Sequence, residues 1–142
     1  MCNNHNILTI AFLCMIWVTS CVSVSNALLY WRFSYTVHIM NGMPDNGKPL
    51  KIKCWSNQDD LGHHTLWKGQ EFKFDFSLHW VWKTKFDCDF HWGSKSLKNI
   101  RVFSNAIGFD HCYFTGHCYW KATPNGIHLS DNSRDWALWY KW

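Results

Sequence analysis

The feature that most constrains the fold is an alternation of apolar and polar residues with a period of two. In EFKFDFS, for example, Phe72, Phe74 and Phe76 alternate with charged or polar residues. Because successive side chains of a strand point to opposite faces of a sheet, this pattern predicts strands with one face buried and the other in water. The pattern recurs in segments 35–39, 50–54, 72–76, 86–92, 100–103, 118–122 and 127–129.

Turn-forming residues separate these segments. The stretch NGMPDNGKP at 41–49 is rich in Gly, Pro, Asn and Asp, and the Asn-Gly pair at 125–126 is typical of a tight hairpin. About seven or eight short strands with regular turns predict an all-β fold, an antiparallel β-sandwich, with a closed barrel as the alternative. The tail at 131–142 predicts either a last strand or a short amphipathic turn.

The N-terminal 27 residues differ from the rest of the chain, since they contain no Lys, Arg, Asp or Glu. The run ILTIAFLCMIWV at 7–18 is apolar, but it is shorter than the roughly 20 residues needed to span a bilayer. We therefore expect residues 1–27 to be a secretory signal peptide and residues 28–142 to form the folded domain. An uncleaved anchor or a buried helix is the alternative.

Four cysteines remain once residues 1–27 are set aside, namely Cys54, Cys88, Cys112 and Cys118. An even number in a secreted chain predicts two disulfides. Cys54, Cys88 and Cys118 share the phase of the apolar residues, so we expect them to point inward and to tie one sheet to the other. Four cysteines allow three pairings, among which the sequence does not choose. The pairing we favour is Cys54–Cys118 with Cys88–Cys112.

A polar stretch in CWSNQDDLGHHTLWKGQEFKFDF holds the main candidate site residues, Asp59, Asp60, His63 and His64. Adjacent Asp-Asp and His-His pairs do not easily converge on one ion, and oxidised cysteines are not available as ligands, so we expect no metal and no cofactor. Acid/base catalysis would need a rigid, partly dry pocket. We expect instead a solvated loop between strands, in which Asp59 or Asp60 accepts backbone N–H bonds.

Charge and aromatic content bear on the partners. The formal net charge is +4, and the lysines are spread singly from Lys48 to Lys141, without the basic stripe expected of a nucleic-acid-binding protein. Two functions remain as alternatives to protein recognition. One is a secreted hydrolase, such as a ribonuclease, that uses His63 or His64. The other is a carbohydrate-binding protein of the cell wall that uses Trp55 or Trp82.

The ordered motifs resemble those of one family. VHIMN at 37–41, the Cys-x-Ser-x-x-Asp-Asp-Leu-Gly segment at 54–62, TKFDCDFHW at 84–92 and CYFTGHCYWKATPNGIHL at 112–129 are similar to motifs of the plant self-incompatibility protein homologues, the S-protein homologue family. The match spans roughly residues 35–130.

This resemblance implies a secreted β-sandwich of plant origin, with structural disulfides formed by Cys54, Cys88, Cys112 and Cys118. It implies no catalytic residue, and it makes Asp59-Asp60-Leu61-Gly62 a structural signature. The founding members are recognition ligands read by a pollen receptor in the rejection of self pollen. We therefore expect a ligand that binds a cell-surface receptor protein through loops 41–49, 56–69, 93–98 and 105–111. His63 and His64 are the chain's own candidate contact residues, and we expect no nucleic-acid partner and no membrane insertion of the mature chain.

Overall fold

A computed structural model describes residues 33–78 and 83–142. The predicted signal peptide and Trp82 lie outside the described residues. Within those residues there are nine strands, a short helix α1 and a π-helical turn. Their bounds are β1 Ser34–Asn41, β2 Leu50–Ser56, β3 Asp60–Leu66, β4 Glu71–Ser77, β5 Lys85–Trp92, β6 Lys95–Ser104, α1 Asn105–Ile107, the π-helical turn Gly108–Cys112, β7 His117–Thr123, β8 Gly126–Ser130 and β9 Ala137–Tyr140.

The strands form two sheets. A five-stranded sheet has the order β4-β1-β7-β8-β9, and a four-stranded sheet has the order β3-β2-β5-β6. Adjacent strands are antiparallel except β1 and β7, which run parallel with Thr36 beside His117. The predicted all-β sandwich is confirmed, and the tail forms a last strand, β9. The parallel pair was not predicted, because alternation within a strand carries no information about the direction of its neighbour.

The core lies between the inner faces of the two sheets. Val37 and Ile39 of β1 are fully buried, as is Phe90 of β5 in the other sheet. The indole N–H of Trp120 donates to the Val102 carbonyl oxygen across the two sheets at 2.8 Å, so this buried ring is hydrogen-bonded as well as packed. Each such large apolar side chain contributes about 1.5–3 kcal/mol through burial. The predicted alternation therefore located the core correctly.

The cysteine pairing is Cys54–Cys88 and Cys112–Cys118, so the pairing we favoured from sequence is wrong. All four residues are disulfide-bonded, as predicted, and Cys112 is buried together with the three that were expected to point inward, but neither bond ties one sheet to the other. Cys54 and Cys88 are direct cross-strand partners on β2 and β5, with Cα atoms 4.1 Å apart. Because they are register partners on neighbouring strands, their side chains lie next to each other on the same face of one sheet.

The predicted solvated loop at 56–69 is largely a strand, which corrects a second expectation. β3 lies at the edge of the four-stranded sheet, and most of its residues are at least partly exposed, so its sequence lacks a clean alternation. One detail was predicted correctly, since an Asp60 carboxylate oxygen accepts the Gly62 N–H at 2.9 Å. Gly62 has φ of +78°, a conformation that favours glycine, which explains the Asp-Leu-Gly order at this bend.

Candidate recognition surface

The loops collect at two opposite ends of the strands, as the strand registers require. We call the end formed by 42–49, 67–70, 93–94 and 124–125 the basic end, and the end formed by 57–59, 105–116 and 131–136 the aromatic end. The four loops predicted to act together are therefore divided. Loops 41–49 and 93–98 belong to the basic end, 105–111 belongs to the aromatic end, and 56–69 extends along β3 from one end to the other.

The loops of the basic end are joined by hydrogen bonds around Asn41. This side chain is 1% exposed; its amide N–H donates to the Leu66 carbonyl at 2.8 Å, and its amide oxygen accepts the Met43 N–H at 3.0 Å. The Asn41 carbonyl accepts the N–H of Gly69 at 2.8 Å. Because one buried residue fixes both 42–49 and 67–70, these two loops are held in one arrangement before any partner binds.

A cavity of about 300 Å³ opens beside this network, between 45–48 and 92–95. The Trp92 indole N–H donates to the Lys48 carbonyl at 3.2 Å, and the Lys95 ammonium lies 5.9 Å from the Trp92 ring centre. Lys95 also donates to the Pro124 carbonyl at 2.7 Å, which connects the two hairpin turns. Three lysines, Lys48, Lys68 and Lys95, outnumber the two carboxylates, Asp45 and Glu71, in these loops and their flanks, so the end carries a small positive excess.

The four candidate residues from the sequence do not converge on one point. Asp59 lies in the tip 57–59, and Asp60 holds the Gly62 bend. His63 is exposed opposite Lys53, whereas His64 stacks on Phe72 with ring centres 3.6 Å apart and donates from Nε2 to the Leu61 carbonyl at 2.8 Å. His64 therefore has a packing role on one face of β3, and His63 occupies the other. Across residues 33–78 and 83–142, no group of three or more metal-ligating side chains could hold an ion.

Sequence reasoning missed a polar cluster on the outer face of the five-stranded sheet. His38 contacts Glu71 through Nδ1, approaches His117 Nδ1 with Nε2 at 3.0 Å, and stacks on Tyr119 with ring centres 4.3 Å apart. The carboxylate orients the first imidazole, and the N···N contact is a hydrogen bond only while one of the two nitrogens lacks a proton. The outward phase of His38 was readable in the sequence, but its partners come from β4 and β7.

On the outer faces of the sheets, the surroundings shift the pKa values of two cationic side chains. Burial lowers the pKa of Lys121, whose ammonium lies 3.7 Å from the Trp136 ring centre. On the four-stranded sheet, the hydrogen bond to Asp87 raises the pKa of Arg101. The first shift follows from the cost of removing a charge from water, and the second from a carboxylate that stabilises the guanidinium.

The aromatic end exposes large apolar side chains. Phe33, Phe109 and Tyr113 have ring centres 5.9–6.2 Å apart, and Phe114 beside them is 95% exposed. The Cys112–Cys118 disulfide anchors this segment to β7. The two ends are therefore chemically distinct, one basic and hydrogen-bonded, the other aromatic. No helix in the described part of the chain is long and apolar enough to cross a bilayer.

These features define a small disulfide-bonded β-sandwich protein with a preorganised loop surface. The chain belongs to the plant self-incompatibility protein S1 family, whose family model matches residues 36–142. The resemblance inferred from the motifs is thereby confirmed.

Individual relatives come from Arabidopsis thaliana. S-protein homolog 24 is 32% identical over 99 residues, which cover 69% of this chain and 64% of that protein. S-protein homolog 2 is 31% identical over 109 residues, covering 75% of this chain and 67% of the relative. The chain thus spans about two thirds of the length of these two. S-protein homolog 9 is 29% identical over 123 residues, which cover 86% of this chain and 90% of that protein. No solved structure matches the chain.

Proposed function

We propose that this protein is a secreted recognition ligand that binds a cell-surface receptor protein through the loops of its basic end. Membership of the self-incompatibility family supports a recognition role. Secretion is supported by the apolar, uncharged segment 1–27, proposed as a cleaved signal peptide, and by two disulfides, which form in oxidising compartments. The response proposed for receptor binding is the rejection of self pollen, in line with the name of the family.

The observation that carries this proposal is the hydrogen-bond network of Asn41. Ordering a loop upon binding costs free energy, and a loop that is already ordered avoids that cost. Asn41 and the contact of the Lys68 N–H with the Asn46 amide oxygen at 2.9 Å hold two loops together in the free protein. The surrounding lysines would accelerate encounter with an acidic receptor surface.

A binding role is favoured over the hydrolase alternative. His64 is occupied by stacking on Phe72 and by its bond to the Leu61 carbonyl, and His63 is exposed on the opposite face of the same strand. A general acid or base needs a fixed position beside a substrate in a partly dry pocket. Neither histidine lines the cavity between 45–48 and 92–95, and neither lines the cavity beside Trp55. We accordingly propose that neither histidine is catalytic.

The test is a cell-binding and crosslinking experiment on intact plant cells. The labelled protein is compared with Lys48→Glu/Lys95→Glu at the basic end and with a matched charge reversal, Lys83→Glu/Lys85→Glu, near the aromatic end. We expect the first variant to bind at least tenfold more weakly and the second to bind normally, with one crosslinked surface protein lost only in the first. Equal binding by all three proteins, or a selective loss in the control variant, would contradict the proposal.

A further inference from the structure

Trp55 occupies an unusual position on the outer face of the four-stranded sheet. In β2, Leu50, Ile52 and Cys54 are buried, so Trp55 lies in the alternate phase, away from the core. It is nevertheless half-buried, because Asp60 of β3 and Asp87 of β5 are its register partners on either side. An indole ring in this place is available to a ligand, while its edges are supported by neighbouring strands.

The ring lines a cavity of about 570 Å³. Its other walls include Lys53, Gln58, Asp60, Asp89 and Asn99, which come from all four strands of the sheet and from the loop 57–59. The cavity thus combines one large aromatic surface with several amide and carboxylate groups. Small-molecule sites are usually mostly apolar, with a few placed polar groups. This mainly polar lining around one aromatic ring therefore suits a ligand that is itself rich in hydrogen-bonding groups.

The carboxylates are held in place by the backbone. One oxygen of Asp89 accepts the Asn99 N–H at 2.8 Å, and one oxygen of Asp60 accepts the Gly62 N–H at 2.9 Å. Within residues 33–78 and 83–142, the second oxygen of each carboxylate makes no hydrogen bond, so it remains an acceptor. Asn99 has φ of +54°, which an asparagine tolerates, and its amide offers both a donor and an acceptor.

The charge of the cavity selects among ligands. Asp59, Asp60 and Asp89 line it together with one lysine, Lys53, whereas the adjacent Asp87 is paired with Arg101. A polyanionic ligand would be repelled, and so would the acidic receptor surface proposed for the basic end. The cavity therefore suits a neutral ligand with several hydroxyl groups and a flat C–H face. The hydroxyls donate to the carboxylates, and the C–H face stacks on the indole ring.

We infer that this cavity binds a neutral, equatorially linked hexose oligosaccharide, such as a β-linked glucose chain. Equatorial linkages keep such a chain flat, so successive C–H faces can lie on Trp55 while the hydroxyls reach Asp60, Asp89 and Asn99. The cavity lies beside the strands and the loop 57–59, whereas the proposed receptor surface lies at the basic end. A polysaccharide could therefore hold the protein in the cell wall with its receptor-binding loops free.

Titration of the secreted protein with cellohexaose, followed by NMR, tests this inference. Maltohexaose and polygalacturonate serve as an α-linked and an anionic probe. We expect the Trp55 indole N–H and the Asn99 amide resonances to shift with cellohexaose, and little change with the other two. Trp55→Ala and Asp89→Asn should weaken binding at least tenfold, whereas Trp67→Ala, at an exposed tryptophan of the basic end, should bind as the wild type does.

Several results would overturn the inference. They are no resonance shift with cellohexaose, shifts confined to the basic end, tighter binding of polygalacturonate, or unchanged affinity in Trp55→Ala. If Trp55→Ala does not fold, the mapping on the wild-type protein and the Asp89→Asn variant decide. Cell binding by the Lys48→Glu/Lys95→Glu variant is a separate measurement, so failure of one proposal does not imply failure of the other.

Discussion

The two disulfides should contribute unequally to stability, and the difference between their contributions can be calculated from the positions of the cysteines in the chain. Cys54–Cys88 closes a loop with a sequence separation of 34, whereas Cys112–Cys118 closes one of only 6. In the chain-entropy treatment these loops correspond to about 3.8 and about 2.2 kcal/mol of stabilisation, a difference of about 1.5 kcal/mol. Domains of this size are stable by only about 5–15 kcal/mol, so either loss is a large share.

The perturbation is a pair of double variants, Cys54→Ala/Cys88→Ala and Cys112→Ala/Cys118→Ala. All four cysteines are 0% exposed, so the alanine substitutions remove similar amounts of buried sulfur and the comparison isolates the loop lengths. Urea unfolding of both variants and the wild type, followed by tryptophan fluorescence, measures the free energy of unfolding. We expect the first variant to be less stable than the second by about 1.5 kcal/mol.

Two outcomes would refute this reasoning. Equal stability of the two variants, or greater loss for Cys112→Ala/Cys118→Ala, would show that loop length does not control the effect. A non-reducing peptide map that finds Cys54 bonded to Cys118 would show that the loop lengths used in the calculation are wrong. Loss of a disulfide expands the unfolded chain and should raise the m-value; a smaller m-value in either variant would indicate that unfolding is no longer two-state, and the comparison would then be made by thermal unfolding instead.

Three further substitutions test individual positions. Tyr35→Phe removes a buried hydroxyl that has no hydrogen-bond partner among the described residues, and should stabilise the protein by about 1 kcal/mol at neutral pH in urea unfolding. Burial raises the pKa of Tyr35, so the unfolded chain ionises at a lower pH than the folded chain and stability falls as the pH rises above about 10; Tyr35→Phe should reduce that loss. Gly126→Ala would place Cβ 2.0 Å from the Tyr140 carbonyl oxygen, so it should lower the melting temperature much more than Gly69→Ala, where φ is also positive but no atom lies within 4 Å. Asn41→Ala leaves the Leu66 carbonyl and the Met43 N–H without their partner and should cost about 2–3 kcal/mol of stability, with weaker cell binding.

Each of these has a control. Tyr140→Phe removes a hydroxyl that donates to the Arg101 carbonyl at 3.3 Å, so it should destabilise rather than stabilise, and the same sign for both tyrosines would argue against the explanation. Asn46→Ala removes only an exposed acceptor of the Lys68 N–H, and a loss as large as that of Asn41→Ala would contradict the role given to burial. Similar melting temperatures for the two glycine variants would show that the β8–β9 contact is not tight.

Local periodicity accounts for the parts of the fold that could be predicted. Strands such as β4 and β7 have one face that is more buried than the other, so their sequences alternate, and the core residues can be identified from the sequence. The edge strand β3 could not be predicted in this way because it has no strongly buried face. The first candidate residues, Asp59, Asp60, His63 and His64, were found because they are polar and close together in the chain. Only Asp59 and Asp60 line one cavity, whereas His63 and His64 lie on opposite faces of β3.

What the sequence by itself determined is the set of residues that face inward, since the alternation of a strand depends only on nearest neighbours in the chain. The tertiary structure alone decided which strands lie side by side, and therefore which side chains meet. His38 reaches His117 across 79 positions and Glu71 across 33, and Cys54 meets Cys88 because β2 pairs with β5. Pairing over such distances depends on how all the strands share one core, and no local pattern records that choice.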